Sequence, residues 1–198
     1  MATWFTADQH FGHANIIGYS GRPFRDVAAM NSELVTRWNH VVARDDVVYV
    51  LGDVALGRPD ETLELVPLLR GRKNLLAGNH DRCWSGHGSR SVGWADRYLA
   101  AGFDAVEQGT LTTKLGRHRV RMSHLPYRTN ADDQDRHAAH RPIDRGEWLL
   151  HGHVHERWRQ HGRMINVGVD AWDYAPVSAE EIAHLISAGP ADTSAQGR

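Results

Sequence analysis

The chain has 198 residues, 41% hydrophobic and 24% charged, with a net charge of -1, a balance that fits a globular protein with a sizeable core. Near-neutrality excludes a global attraction to nucleic acid or anionic membranes, so any anion recognition must be local. Cys83 is the single cysteine, which excludes an internal disulfide and fits a reducing cytosol. The 21 Arg against two Lys (Lys73 and Lys114) are read as base composition rather than as an arginine-built phosphate site. No charged leader precedes an apolar stretch near Met1, and no apolar run approaches the roughly 20 residues of a membrane span. A cytoplasmic protein with no membrane partner is the expectation, and the oligomeric state stays open. Residues 1–187 read as one domain, and 188–198 as a disordered tail, being small, polar and Gly/Pro-containing.

In chain order, Trp4-Phe5-Thr6 is a short strand ending at Asp8-Gln9-His10, followed by a Gly/Ser/Pro-rich loop. Asp26 is placed to N-cap a helix through Ala43, with Val27, Met30, Leu34, Trp38, Val41 and Val42 on one face. Val47 to Leu51 is continuously apolar and β-branched, the pattern of a central strand covered on both sides; it ends at Gly52-Asp53. A second helix opens at Pro59 and carries Leu63, Leu65, Val66, Leu68 and Leu69, with Pro67 against its later half. Asn74 to Ala77 is the next strand, ending at Gly78-Asn79-His80-Asp81, and a short helix over 95–101 stops at Gly102. Thr110 to Leu115 and Arg119 to Met122, joined by Gly116-Arg117, form a hairpin ending at Ser123-His124. The polar segment Tyr127 to Gly146 has no periodicity and follows His124 directly, so a role over the site is expected of it. A strand from Trp148 to His155, a turn at His161-Gly162 and a strand from Met164 to Val167 complete the reading.

The chain carries 14 histidines, and the densest run is His151-Gly152-His153-Val154-His155. In extended backbone, side chains two apart share a face, so His153 and His155 would converge; neutral imidazole is the commonest metal ligand. Asp8/His10, Asp53, Asn79 and His124 stand at the ends of the other strands. Helices alternate with the early strands, implying an α/β sheet, and such sheets gather ligands at the carboxyl ends of their strands. Taken singly, Asp8, Asp53 and Asn79 also fit turn residues, His124 a packed histidine and His151 a hydrogen-bonded one. Together the seven donors exceed one ion's coordination and suit two ions sharing a carboxylate. Imidazole, carboxylate and amide without thiolate favour Mn, Fe, Zn or Ni.

The ordered set Asp8-Gln9-His10, Gly52-Asp53, Gly78-Asn79-His80-Asp81, His124 and Gly152-His153-Val154-His155 resembles the calcineurin-like metallophosphoesterases, whose pattern is D-x-H, G-D, G-N-H-D/E, H and G-H-x-H. The stretches Phe11-Gly12-His13-Ala14-Asn15-Ile16-Ile17, Arg22-Pro23-Phe24 and Asn166-Val167-Gly168-Val169-Asp170 look like a compact bacterial and phage branch. The resemblance implies an α/β fold, a β-sandwich of two mixed sheets flanked by helices. It implies two divalent metal ions, manganese first, with Fe, Zn, Ni or Mg as alternatives. Asp8, His10, Asp53 and His155 would hold one, and Asp53, Asn79, His124 and His153 the other, with Asp53 bridging. His80 would be the acid for the leaving oxygen, oriented by Asp81. His13, Arg22 and Arg128 are candidate substrate contacts. The implied activity is phosphoesterase, and the mixed-charge segment Tyr127 to Gly146 beside the site leads us to expect a small phosphodiester such as a 2′,3′-cyclic nucleotide. Phosphomonoesters, nucleic acid and a non-catalytic metal-binding module remain the alternatives, nucleic acid being disfavoured by the net charge.

Overall fold

The structure, a computed structural model, describes residues 1–128 and 137–194. The first half contains β1 (Thr3–Thr6), α1 (Ala14–Tyr19), α2 (Val27–Val41), β2 (Val47–Val50), α3 (Pro59–Thr62), β3 (Arg72–Leu76) and α4 (Trp94–Ala100). There follow β4 (Ala105–Glu107), β5 (Thr110–Leu115), β6 (His118–Ser123), β7 (Trp148–His151), β8 (Gln160–Gly162), β9 (Met164–Asn166), β10 (Val177–Ser178), α5 (Ala179–Ala188) and β11 (Ala191–Thr193). They build two mixed sheets, ordered β10-β1-β2-β3-β4 and β11-β8-β9-β7-β6-β5. In the first sheet β1 to β4 run parallel and β10 antiparallel. In the second, β6, β7 and β9 are parallel to one another, β5 and β8 flank them antiparallel, and β11 pairs antiparallel with β8 at the edge.

Alternation along the strands splits the core in two. Phe5, Leu51 and Leu76 point between the sheets, meeting Val120, Met122, Leu150 and Ile165, with Ile182 and Ile186 of α5 in the same cluster. Val48, Val50 and Leu75 point the other way, into a layer formed by Met30, Leu34 and Trp38 of α2, Val66, Tyr98 and Phe103. The run from Val47 is therefore the middle strand of its sheet and is covered on both sides, as its composition predicts. The Asp26 carboxylate accepts the Ala29 N–H at 2.7 Å and caps α2, an interaction worth about 1 kcal/mol.

Three expectations change. The helix opening at Pro59 runs only to Thr62 before tightening into a 3-10 turn over Leu63–Leu68, because Pro67 offers no N–H to an α-helical ladder. The strand from Trp148 stops at His151, so His153 and His155 do not lie on extended backbone. Residues 188–198, expected as a tail, include β11, which pairs with β8 from Ala191 to Thr193; residues 195–198 lie outside the described part. No helix of the described residues is long and apolar enough to cross a membrane.

Candidate metal centre

Every predicted donor lies just past a strand end, and the parallel strands bring these ends together. Asp8 and His10 follow β1, Asp53 follows β2, Asn79 follows β3, His124 follows β6, and His153 and His155 follow β7. The donors sit in a backbone of unusual hand. Asp8, His10, Asp53, His153 and His155 have φ between 50° and 73° and make up five of the seven non-glycine residues with positive φ among those described. Left-handed backbone is costly for side chains with a Cβ and concentrates at functional sites. Here it turns each donor out of its strand direction toward the common centre.

The donors fall into two groups. Asp8, His10 and His155 each offer one atom within 4.8 Å of the others, and so do Asp53, His124 and His153. Asp53 Oδ2 stands between the groups, 3.7 Å from His10 Nε2 and 3.4 Å from His124 Nε2. Asn79 Oδ1 approaches His124 Nε2 at 3.0 Å. The pair His153 and His155 does not converge on one point; the left-handed turn sends one imidazole to each group.

This donor set offers two candidate cation sites, and the unsatisfied ring of His10 fits a ligand of one of them. His10 is 1% exposed, and neither ring nitrogen has a hydrogen-bond partner, a costly state for a buried imidazole unless something else satisfies it. His124 Nδ1 lies 2.7 Å from the Leu51 carbonyl; donating there leaves the Nε2 lone pair facing the Asp53 carboxylate and the Asn79 amide oxygen. His155 Nδ1 is likewise engaged by Asp170 Oδ2 at 3.1 Å. Without a cation, burial opposes charge on both His124 and Asp53. Each overcomes it through the other: Asp53 brings His124 up to about 9, and His124 and then His10 hold Asp53 well below the usual carboxylate range. Burial, followed by the His124 charge, lowers His153 to about 2, so its imidazole is neutral and available as a ligand.

Close approach at the centre requires glycine at two points. Gly52 has φ 90°, and a Cβ there would lie 2.8 Å from His124 Nδ1. At Gly152 a Cβ would lie 2.7 Å from Asp8 Oδ2. That carboxylate accepts the His153 N–H at 2.9 Å, so Gly152 lets the β7 turn seat on Asp8.

Two sequence assignments are corrected by the hydrogen bonds. Arg22 is buried, and its guanidinium is spent internally rather than offered to substrate. Nε and Nη2 fork onto Asp170 at 2.7 and 2.8 Å, while Nη1 and Nη2 donate to the Gln9 and Asp8 carbonyls at 2.9 and 2.7 Å. Asp81 does not orient the His80 ring. Its Oδ2 accepts the Asp53 and Gly78 N–H groups at 2.8 and 2.9 Å, and its Oδ1 accepts Val54 N–H and Tyr98 Oη–H at 3.1 and 3.3 Å. It clamps the β2 and β3 turns together. Burial, followed by the Asp53 charge, raises Asp81 to about 7.

The remaining candidates surround the centre. His80 is exposed at its mouth, with its ring 5.5 Å from that of His10 and its N–H on Asp53 Oδ1 at 2.8 Å. His13 lies 5.4 Å from His10, at the rim. Arg128 is exposed, and no described contact ties it to the donors. Of the segment Tyr127 to Gly146, residues 129–136 lie outside the described part. His137 is described and stacks edge-on to His153 at 5.9 Å and to Trp84 at 5.4 Å. His151 is fully buried, with Nδ1 2.7 Å from the Gly152 carbonyl oxygen, the hydrogen-bonded alternative. Sequence reasoning missed Asp170 as the partner of His155 and Arg22. Its signal was a carboxylate ending the otherwise apolar run Val167-Gly168-Val169.

Donors at five strand ends of a sandwich of two mixed sheets make this a metallophosphoesterase-type fold. No family model matches the sequence. The gene 66 protein of Mycobacterium phage L5 is 31% identical over 202 residues, covering 93% of this chain and 94% of that protein. The uncharacterized protein MJ1445 of Methanocaldococcus jannaschii is 30% identical over 198 residues, covering 94% and 92%. The chain belongs to the family that these proteins form. The crystal structure of the protein of unknown function AQ665 from Aquifex aeolicus matches with a TM-score of 0.70 at 26% identity, covering 93% of this chain and 98% of that one.

Proposed function

We propose that the protein is a dinuclear metal-dependent phosphoesterase acting on small phosphodiesters, a 2′,3′-cyclic nucleotide being the first candidate. The observation that carries this reading is Asp53 Oδ2, placed within 3.7 Å of one donor group and 3.4 Å of the other. Asp8, His10, Asp53 and His155 would hold one divalent ion, and Asp53, Asn79, His124 and His153 the second, with manganese the first choice. Bound there, two divalent ions supply Lewis-acid polarisation of phosphoryl oxygens and acidify water to a nucleophile at neutral pH.

The chain's own residues do the rest. The buried acceptors Asp8, Asp53 and Asn79 fix the centre's floor, and the Leu51 carbonyl and Asp170 orient His124 and His155. His80, exposed above His10, is placed to give a proton to the departing ester oxygen as the opposite bond to phosphorus forms. His13 lines the same mouth. The near-neutral net charge supports a small substrate over a polyanion, whose binding draws on many phosphate contacts. A manganese-reconstituted panel of aryl monoester, aryl diester, 2′,3′- and 3′,5′-cyclic nucleotides and oligonucleotides tests this reading. Fastest turnover of a cyclic nucleotide or aryl diester is expected; efficient cleavage of long DNA with inert small diesters would contradict it.

A further inference from the structure

The Asn79–His80 corner of the candidate metal centre is shared with a second cavity of about 240 Å3. Its lining includes the segment from Ala55 to Gly57 together with His80, Arg82, His87 and Arg90, and no carboxylate lines it. Neither Arg82 nor Arg90 has an ion-pair partner among the described residues, whereas Asp60, beside the cavity, is taken by Arg97 at 3.0 Å. Aromatic packing holds this wall in place: the Arg82 guanidinium lies 5.8 Å from the Trp94 ring centre, and His87 meets the edge of Trp84 at 5.3 Å.

Two unneutralised guanidinium groups in one concavity, in a chain of net charge -1, create a local positive field that no lining carboxylate offsets. Guanidinium forks match pairs of phosphate oxygens. The volume lies below the roughly 300 Å3 at which pockets begin to enclose drug-sized ligands. A phosphate group fits such a space better than a nucleoside.

We propose that this cavity binds a second phosphate of the substrate, so that preferred substrates carry a phosphomonoester close to the scissile ester, as 5′-phosphorylated dinucleotides and nucleoside bisphosphates do. The proposal rests on the phosphoesterase reading of the adjoining centre for its link to turnover. The chemistry is recognition only; no bond is made or broken in the cavity.

The test uses a dinucleotide with and without a 5′-phosphate, given to the manganese-reconstituted wild type and to the Arg82→Gln/Arg90→Gln variant. In parallel, the metal-free chain is titrated calorimetrically with adenosine 3′,5′-bisphosphate and adenosine 3′-monophosphate. The wild type is expected to favour the phosphorylated member of each pair by about tenfold or more, the scale of one to two charge-assisted hydrogen bonds. The variant is expected to bring both ratios to about one, with only the small fall in melting temperature that loss of the Arg82–Trp94 contact brings. A wild-type ratio of one, a variant that keeps the preference, or an equal loss on both members overturns the proposal. A calorimetric preference abolished by the variant, with neither dinucleotide cleaved, supports the cavity's role and counts against the phosphodiesterase reading alone.

Discussion

Replacing Arg22 by alanine should unfold the first metal group from behind. The guanidinium is buried with a side-chain exposure of 0%, against 1% for Asp170. Its removal leaves the Asp170 carboxylate with His155 as its remaining side-chain partner, and leaves the Asp8 and Gln9 carbonyls without their donors. Breaking a buried ion pair by removing one member costs about 3–5 kcal/mol. For a chain of this length, that corresponds to a fall of roughly 6–20 °C in melting temperature. Because Asp170 orients His155, metal affinity should also fall, by about 10–100-fold. Arg22→Lys should recover part of the stability but not the forked geometry, since an ammonium is a point charge. Thermal melts followed by circular dichroism, with manganese titrations on the same samples, read both effects. A variant that melts with the wild type and binds manganese equally, but shows a raised KM for phosphoester, would refute this reasoning and return Arg22 to the substrate.

Two further outcomes follow from other sites. His80→Ala should slow an alkyl or ribose ester by about 10²–10⁴-fold, the range of general acid catalysis, and a nitrophenyl ester far less; equal losses on both would make His80 a positioning group. Asp46 accepts the Ala2 and Ala43 N–H groups and the Trp4 indole N–H, and these bonds, Ala2 first, lower it to about 2. A depressed folded-state value means its stabilisation is present above the ordinary carboxylate range and is lost as pH falls toward 2. The gap in melting temperature between wild type and Asp46→Asn should therefore be widest above pH 5 and close on acidification; a constant gap by circular dichroism contradicts this.

The donor positions were legible in the sequence because each sits one to four residues past a strand end, and parallel strands deliver such positions to one edge. The hairpin at Gly116-Arg117 and the capped helix after Asp26 were legible for a similar local reason. What escaped was non-local or conformational. Arg22 and Asp170 are 148 residues apart, so no spacing pattern joins them. Asp81 follows His80 in sequence, yet its carboxylate reaches back to Asp53 and Val54 of another turn. The left-handed backbone at His153 and His155 is set by the seating of the β7 turn on Asp8, which alternation along a strand cannot reveal. The helix Ala179–Ala188 also went unread, although Ser178 caps it through the Glu181 N–H at 3.1 Å.

The central claim is that Asp53 serves two ions at once, and metal stoichiometry tests it most directly. Manganese-reconstituted wild type, freed of loose metal and measured by elemental analysis, should hold close to two ions per chain, as its two donor groups require. Asp53→Ala should retain neither ion tightly and should lose turnover. One tight ion in the wild type, with activity kept in Asp53→Ala, would contradict the dinuclear account.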